Sequence, residues 1–179
     1  MSMTIVDVGY ALWFVFPAYC ANAIPVIFGG GYPLDAGRTF FDGKPILGSH
    51  KTFRGFFSGL IVGTLVGFLQ TVFFQHVLSQ YDARFQFSVL LGFMLSLGAL
   101  VGDSLESFVK RRLDLPPGSS LPIADQLDFV VGALLFSLPV SPPSLLTIII
   151  IIIITPPIHF LTNFLASRLV TKGKGRSNQ

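Results

Sequence analysis

Five apolar runs follow one another along this 179-residue chain, with no polar insert long enough to fold as a separate soluble module. A bilayer core of about 30 Å needs about 20 apolar residues per helix. The mean hydropathy is +0.70, and only 12% of the residues are charged. These features predict an all-α polytopic membrane protein, with residues 1–179 forming one integral domain of five transmembrane helices. The predicted spans are about 5–29, 55–78, 87–109, 125–141 and 144–168.

The basic residues between these runs are distributed unevenly. Eleven of the twelve Lys and Arg fall on one side of a five-span chain, and Arg84 alone falls on the other. Because Lys and Arg accumulate in cytoplasmic loops, the N-terminus is predicted outside and the C-terminus in the cytoplasm. The sequence therefore predicts a multi-pass protein of the cell membrane. The eleven are Arg38, Lys44, Lys51, Arg54, Lys110, Arg111, Arg112, Arg168, Lys172, Lys174 and Arg176.

The third span, "GALVGDSLESFVKRR" at residues 98–112, carries charge inside an apolar run. An ionised Asp near the middle of a bilayer costs about 3 kcal/mol even on the most lenient scale. Asp103, Glu106, Ser107, Lys110 and Arg111 lie at offsets 0, 3, 4, 7 and 8, which places them on one helical face. This polar stripe predicts a polar cavity that opens to the cytoplasm and contains water or ions.

Two further carboxylates begin the fourth span in "LPIADQLDF". Asp125 and Asp128 are three residues apart, so a helix projects them together. Their repulsion would be relieved by a magnesium ion, which is typically bound by one or two carboxylates plus substrate phosphates. A helix-capping role for Asp125 and a favourable helix-dipole interaction for Asp128 are the alternative.

The loop "DGKPILGSHKTFRG" at residues 42–55 combines glycines with basic residues. Gly48 permits close backbone approach, and Lys51 and Arg54 supply charge for phosphate groups. Positive charge that only sets membrane orientation is the alternative interpretation.

Small residues and prolines mark the contacts between spans. Glycines 55, 59, 63 and 67 recur every four residues in the second span, and the third span contains Gly92, Ser96, Gly98 and Gly102. Both patterns are typical of close helix packing. Asn22 lies between Pro17 and Pro25, where helix breaks would expose backbone carbonyls beside a buried amide, so it is a candidate site residue. The seven isoleucines 148–154 are expected to face lipid.

Four segments together resemble one known family. "PAYCANAIPV", "GKPILGSHKTFRG", "GDSLESFVKRR" and "PGSSLPIADQLDF" occur in this order and closely resemble the CDP-archaeol synthases, archaeal relatives of the phosphatidate cytidylyltransferases. Ser107, Lys110 and Arg111 match a Ser-x-x-Lys-Arg element of the wider superfamily. Residues 125–128 stand where that superfamily has Asp-Arg-x-Asp, with Gln in place of Arg.

The resemblance implies transfer of CMP from CTP to 2,3-bis-O-geranylgeranyl-sn-glycerol 1-phosphate, forming CDP-archaeol and pyrophosphate. For this reaction, the mechanistic hypothesis is that Asp103, Asp125 and Asp128 are metal-binding catalytic residues for Mg²⁺, with Lys110 and Arg111 neutralising the leaving group. Lys51 and Arg54 would bind either the triphosphate or the lipid phosphate. The expected substrate-binding residues are Asn22, Gly48, Lys51, Thr52, Arg54, Ser107 and Arg112.

Other functions are less well supported by the sequence. The alternatives are a phosphatidate cytidylyltransferase that acts on diacyl lipid and a small non-enzymatic membrane transporter. A transporter usually shows an internal repeat and charges near the midplane, whereas the polar positions here cluster toward one face. The expected partners are CTP, a prenylated ether-lipid phosphate and the membrane, with no nucleic acid and no required protein partner.

Overall fold

The structure is a computed structural model. It describes residues 3–116, 119, 121 and 123–174, and in the last helix it describes side chains only as far as Leu161. Within these residues the chain forms five α-helices: α1 (Ile5–Phe28), α2 (Phe53–Phe73), α3 (Val89–Arg112), α4 (Ala124–Ser137) and α5 (Leu145–Lys174). The prediction of an all-α chain with five helices is confirmed over the described residues. The basic side chains at 168, 172, 174 and 176 lie outside them.

Within the described residues, three helices are long and apolar enough to cross a membrane: α1, α2 with its π-helical extension to Leu78, and α3. The described apolar part of α5, Leu145–Leu161, is shorter. Helix α4 has only 14 residues, about 21 Å at a rise of 1.5 Å per residue. That all five helices cross the bilayer therefore stays a prediction.

The glycines of α2 pack against its neighbours, as predicted. A Cβ at Gly59 would lie 2.5 Å from the carbonyl oxygen of Ala21 in α1, and a Cβ at Gly67 would lie 2.6 Å from the Cα of Gly92 in α3. Both distances are shorter than real side chains tolerate, so only glycine allows these helices to approach so closely.

Helix α1 continues through both of its prolines, so the helix breaks expected on either side of Asn22 are absent. Pro17 has no N–H and cannot bond the carbonyl of Trp13 one turn earlier. That carbonyl accepts a hydrogen bond of 2.7 Å from the side-chain Nε2 of Gln70 in α2. A side chain on a neighbouring helix thus replaces the donor that proline removes.

The isoleucine run does not face lipid throughout, because a helix turns part of any seven-residue run toward its neighbours. Ile150 and Ile151 are 3% and 2% exposed and belong to the core of the bundle, whereas Ile153 is 64% exposed. The expectation that the run faces lipid is wrong for its buried members. The core is completed by Phe14, Leu95 and Phe129, which are buried on α1, α3 and α4.

Candidate active site

A cavity of about 670 Å³ lies where the C-terminal ends of α1 and α3 meet the N-terminal ends of α2 and α4. Nine of the twelve predicted site residues line it. They are Asn22, Lys51, Thr52, Asp103, Ser107, Lys110, Arg111, Asp125 and Asp128. The predicted polar stripe of α3 and the two carboxylates of α4 therefore face the same space.

The loop before α2 reaches the cavity through an ion pair. The Nζ of Lys51 lies 2.6 Å from Oδ2 of Asp103, and each side chain is 24% exposed. The next residue, Thr52, is the N-cap of α2, and its hydroxyl accepts the N–H of Gly55. Because this cap fixes the start of α2, the residue before it is held at the cavity edge.

Helices α3 and α4 are joined by a buried charge cluster. The Nζ of Lys110 lies 2.7 Å from the carboxylates of both Glu106 and Asp125. A single buried ammonium therefore bridges two carboxylates. The site prediction did not include Glu106, although its position four residues before Lys110 on the polar stripe could have indicated it.

Asp125 does not cap α4. The N-cap is Ile123, which makes no side-chain capping bond, and Oδ1 of Asp125 instead accepts the N–H of Leu121 before the helix. The helix-capping alternative for Asp125 is therefore not what the structure shows.

Asp128 lies on the same cavity wall, one turn further into α4. Its Oδ1 accepts the N–H of Phe129 at 2.6 Å, and its carboxyl interacts electrostatically with Asp103, Lys51 and Asp125. Close backbone packing supports this position, because a Cβ at Gly102 of α3 would collide with the carbonyl oxygen of Asp128.

Arg111 is a buried cation with free donors. The residue is 6% exposed, and its Nη2 donates to the carbonyl of Pro116 at 3.2 Å. Among the described residues, its Nε and Nη1 have no hydrogen-bond partner. A buried polar group without a partner costs about 1–3 kcal/mol. Since the residue lines the cavity, these donors are suited to an anion that enters it.

Three predicted substrate-binding residues do not line the cavity. Gly48 turns the loop with φ at +93°, and Arg54 is exposed at the start of α2. Arg112 packs its guanidinium over the rings of Phe40 and Phe108, at 5.0 and 4.6 Å from their centroids. Arg112 therefore holds the loop against the end of α3 rather than reaching into the cavity.

The cavity also has lining residues that the site prediction did not include. The loop contributes Ser49 and His50, and α5 contributes His159. His159 comes from a helix distant in sequence from the other cavity residues, so no spacing along the chain could place it here.

The carboxylates of the cavity fit a magnesium ion whose remaining ligands come from the substrate. Within the described residues, no group of three or more His, Cys, Asp or Glu side chains is arranged to hold a metal ion. However, the carboxylates of Asp103, Asp125 and Asp128 line one cavity. Mg²⁺ usually takes one or two carboxylates and obtains its remaining ligands from water and phosphates. One or two of these three carboxylates could therefore hold it together with a phosphorylated substrate.

Comparisons with known proteins identify relatives of this chain. Residues 3–174 match the family model described as CarS-like, CDP-archaeol synthase. The chain is 44% identical over 162 residues to the CDP-archaeol synthase of Pyrococcus furiosus, covering 90% of this chain and 94% of that protein. It is 46% identical over 160 residues to the one of Thermococcus gammatolerans, covering 89% and 91%.

A solved structure shows the same architecture. It is described as an intramembrane enzyme for archaeal membrane lipids biosynthesis, and it matches with a TM-score of 0.73 at 33% identity. The match covers 86% of this chain and 92% of the solved chain. Fold, sequence and family model therefore agree, and the chain belongs to the CDP-archaeol synthase family.

Proposed function

We propose that this protein makes CDP-archaeol by transferring CMP from CTP to 2,3-bis-O-geranylgeranyl-sn-glycerol 1-phosphate, with release of pyrophosphate. The name of its family and of its relatives supports the product. The observation that carries the proposal is the buried Arg111, whose free donors line a cavity shared with three aspartates and two lysines. Such a cavity is suited to a polyphosphate and a metal ion rather than to an uncharged solute.

Cationic side chains would hold the nucleotide phosphates. Arg111 has unpaired donors on Nε and Nη1, which lie on different edges of the guanidinium plane and would each donate to a phosphate oxygen. Lys110 is buried at the base of the cavity, and Lys51 approaches from the loop. Together they would stabilise the charge that develops on the pyrophosphate leaving group.

The carboxylates would hold the metal. Asp128 forms no ion pair with a described lysine or arginine, whereas Asp103 and Asp125 are each paired with a lysine. When bound, Mg²⁺ neutralises phosphate charge and orients the α-phosphate. In its presence, Lys51 and Lys110 would exchange their carboxylate partners for phosphate oxygens.

The reaction itself needs no general base. The lipid phosphate is already ionised near neutral pH, and one of its oxygens attacks the α-phosphorus of CTP. A new P–O bond forms to the lipid, and the bond between the α-phosphorus and the oxygen bridging to the β-phosphate breaks. Pyrophosphate leaves with that electron pair. The protein therefore contributes positioning and electrostatic stabilisation, as is general for phosphoryl chemistry.

The cavity would open toward the cytoplasm, where CTP is made. The side that carries eleven of the twelve basic residues supports this orientation. A reporter that is active only in the cytoplasm should be active when it is fused after residue 179. A reporter signal from outside the cytoplasm would contradict this orientation, because the cavity would then open on the outer side of the membrane.

The decisive experiment is a turnover assay on detergent-purified protein with radiolabelled CTP, Mg²⁺ and the geranylgeranyl ether-lipid phosphate. UTP, ATP and a diacyl phosphatidate serve as competing substrates. Formation of labelled CDP-lipid that disappears with chelator is the expected result. Preference for phosphatidate would favour the diacyl alternative. Absence of nucleotidyl transfer by folded protein would overturn the proposal and leave transport as the better explanation.

A further inference from the structure

The carboxylate of Asp35 organises the loop that precedes α2. Its Oδ1 accepts the N–H of Gly37 at 3.0 Å, and its Oδ2 accepts the N–H groups of Leu47 and Gly48 at 2.9 and 2.8 Å. Asp35 itself is 8% exposed. One buried side chain thus connects two segments of the loop that are about a dozen residues apart in sequence.

These contacts lead directly to the cavity. Leu47 lines it, and so do the residues that follow Gly48, namely residues 49–52. The neighbour of Asp35, Leu34, donates its N–H to the carbonyl of Lys51 at 2.8 Å. Pro33 pairs with Thr52 as an isolated antiparallel bridge. The backbone of Lys51 is therefore held from both ends by the segment that contains Asp35.

The three donors favour the ionised carboxylate, which accepts on both oxygens. Burial raises the pKa of the Asp35 carboxyl, but the hydrogen bonds from Gly48, Leu47 and Gly37 outweigh it, so the pKa lies below its usual value. An asparagine has only one side-chain acceptor oxygen, and its NH₂ would face an N–H donor. The loop thus specifies an aspartate at this position although the carboxylate does not line the cavity.

We propose that Asp35 is a positioning residue for the transfer reaction, which acts by holding the backbone of residues 47–52 so that Lys51 reaches the cavity. The inference rests on the proposed function, because it assigns Lys51 a role toward the phosphates. Asp35 touches no reacting atom in this scheme. Its effect on the reaction should therefore pass entirely through Lys51.

A double-mutant cycle tests this route. Asp35→Asn should lower kcat/KM for CTP about 10- to 100-fold, the usual effect of losing a partner that orients a functional residue. In a Lys51→Ala background the same substitution should change kcat/KM by less than about twofold, because the affected residue is already gone. Asp35→Glu, which retains a carboxylate, should recover part of the loss. Equal losses in both backgrounds would overturn the inference.

A matched control comes from the same loop. Asp42 pairs with Arg112 and accepts the N–H of Lys44, but in the described part of the chain it makes no hydrogen bond or ion pair with residues 47–52. The effects of Asp42→Asn and Lys51→Ala on kcat/KM for CTP, expressed as free energies, should be additive. Coupling as strong as that of Asp35 would mean that any loop carboxylate has this effect, and it would also overturn the inference.

A second readout does not depend on turnover. In the substrate-free protein, lysine acylation followed by mass spectrometry should show faster labelling of Lys51 in Asp35→Asn than in the parent chain. Lys110, buried on α3, should label unchanged, which separates a local change from unfolding. If the parent chain shows no transfer, the proposed function fails, while this labelling still decides the placement of Lys51. Unchanged labelling of Lys51 would contradict the placement.

Discussion

Lys51 and Asp103 form an ion pair that joins the loop before α2 to α3, with 2.6 Å between Nζ and Oδ2. Partly exposed pairs of this kind contribute only about 0–1 kcal/mol to stability. Because Lys51 and Asp103 line a cavity that suits phosphate and metal, their ion pair matters more for binding than for stability. In the absence of substrate, the ammonium of Lys51 competes with any cation for the carboxylate of Asp103.

The first prediction follows from that competition. Lys51→Ala should lower kcat/KM for CTP about 10²- to 10³-fold, because a charge that stabilises the leaving group is lost. The same change should strengthen Mn²⁺ binding in the absence of nucleotide, measured by electron paramagnetic resonance. Lys44→Ala removes an equal charge from the same loop, but Lys44 pairs with Asp114, so its effects should be much smaller. Weaker Mn²⁺ binding in Lys51→Ala would contradict the competition.

The second prediction concerns the free donors of Arg111. Arg111→Lys keeps the charge but loses the planar guanidinium with donors on Nε and Nη1, and it should reduce kcat/KM for CTP about 100-fold. Arg112→Lys is the neighbouring comparison. It removes the stacking on Phe40 and Phe108, so we expect it to lower thermal stability more than it lowers turnover. Activity near that of the parent chain in Arg111→Lys would exclude a phosphate contact that depends on the guanidinium group.

The third prediction concerns Asp128. Asp128→Asn is nearly equal in volume and should abolish turnover while the protein elutes as a folded species. The amount of radiolabelled CDP-lipid that Asp128→Asn forms is compared with the amount that Asp114→Asn forms. Asp114 is a suitable control because its side chain is 78% exposed and lies outside the cavity. Near-normal turnover in Asp128→Asn would remove this residue from the metal role.

The fourth prediction concerns the proline in α1. Gln70→Leu leaves the carbonyl of Trp13 without its donor and should destabilise the fold by about 1 kcal/mol, in the range measured for interhelical hydrogen bonds. Pro17→Ala restores an N–H inside α1, so Gln70→Leu should cost less in that background. Unfolding can be followed with a thiol-reactive dye, because Cys20 is the chain's single cysteine and is partly buried. Equal losses in both backgrounds would mean that Gln70 does not replace the missing donor.

The fifth prediction concerns pH. Because the pKa of Asp35 is lowered by folding, the unfolded chain binds this proton more readily than the folded one. The resulting stability is fully present above the unfolded pKa of about 4 and is lost as pH falls through the lower folded value. The melting temperature of the parent chain should therefore exceed that of Asp35→Asn by a constant amount above about pH 5. The difference should shrink below about pH 4, and a difference that grows there would contradict the assignment.

The elements and much of the site could be predicted because their signals are local. Apolar run lengths predicted five helices, and helical offsets placed Asp103, Lys110 and Arg111 on the face that lines the cavity. The four-residue glycine period correctly predicted close packing of α2.

Contacts between distant segments were not predictable in the same way. The role of Arg112 depends on the rings of Phe40 and Phe108. The hydrogen bonds that Asp35 accepts depend on how the loop folds back. A basic residue at the end of a polar stripe looks the same in sequence whether it enters a cavity or packs against a loop. In α1, the carbonyl that Pro17 leaves without a partner accepts its hydrogen bond from Gln70 of α2, a contact between distant segments.

The shortness of α4 has a consequence for the lipid substrate. A helix of 14 residues is about 9 Å shorter than the hydrocarbon layer, and Asp125 and Asp128 lie in its first two turns. If its far end reaches the opposite surface, these carboxylates lie below the headgroup plane. A lipid phosphate could then meet the nucleotide by sinking slightly, with both prenyl chains still in hydrocarbon. Extraction of those chains into water, at about 0.8 kcal/mol per methylene, would never be needed.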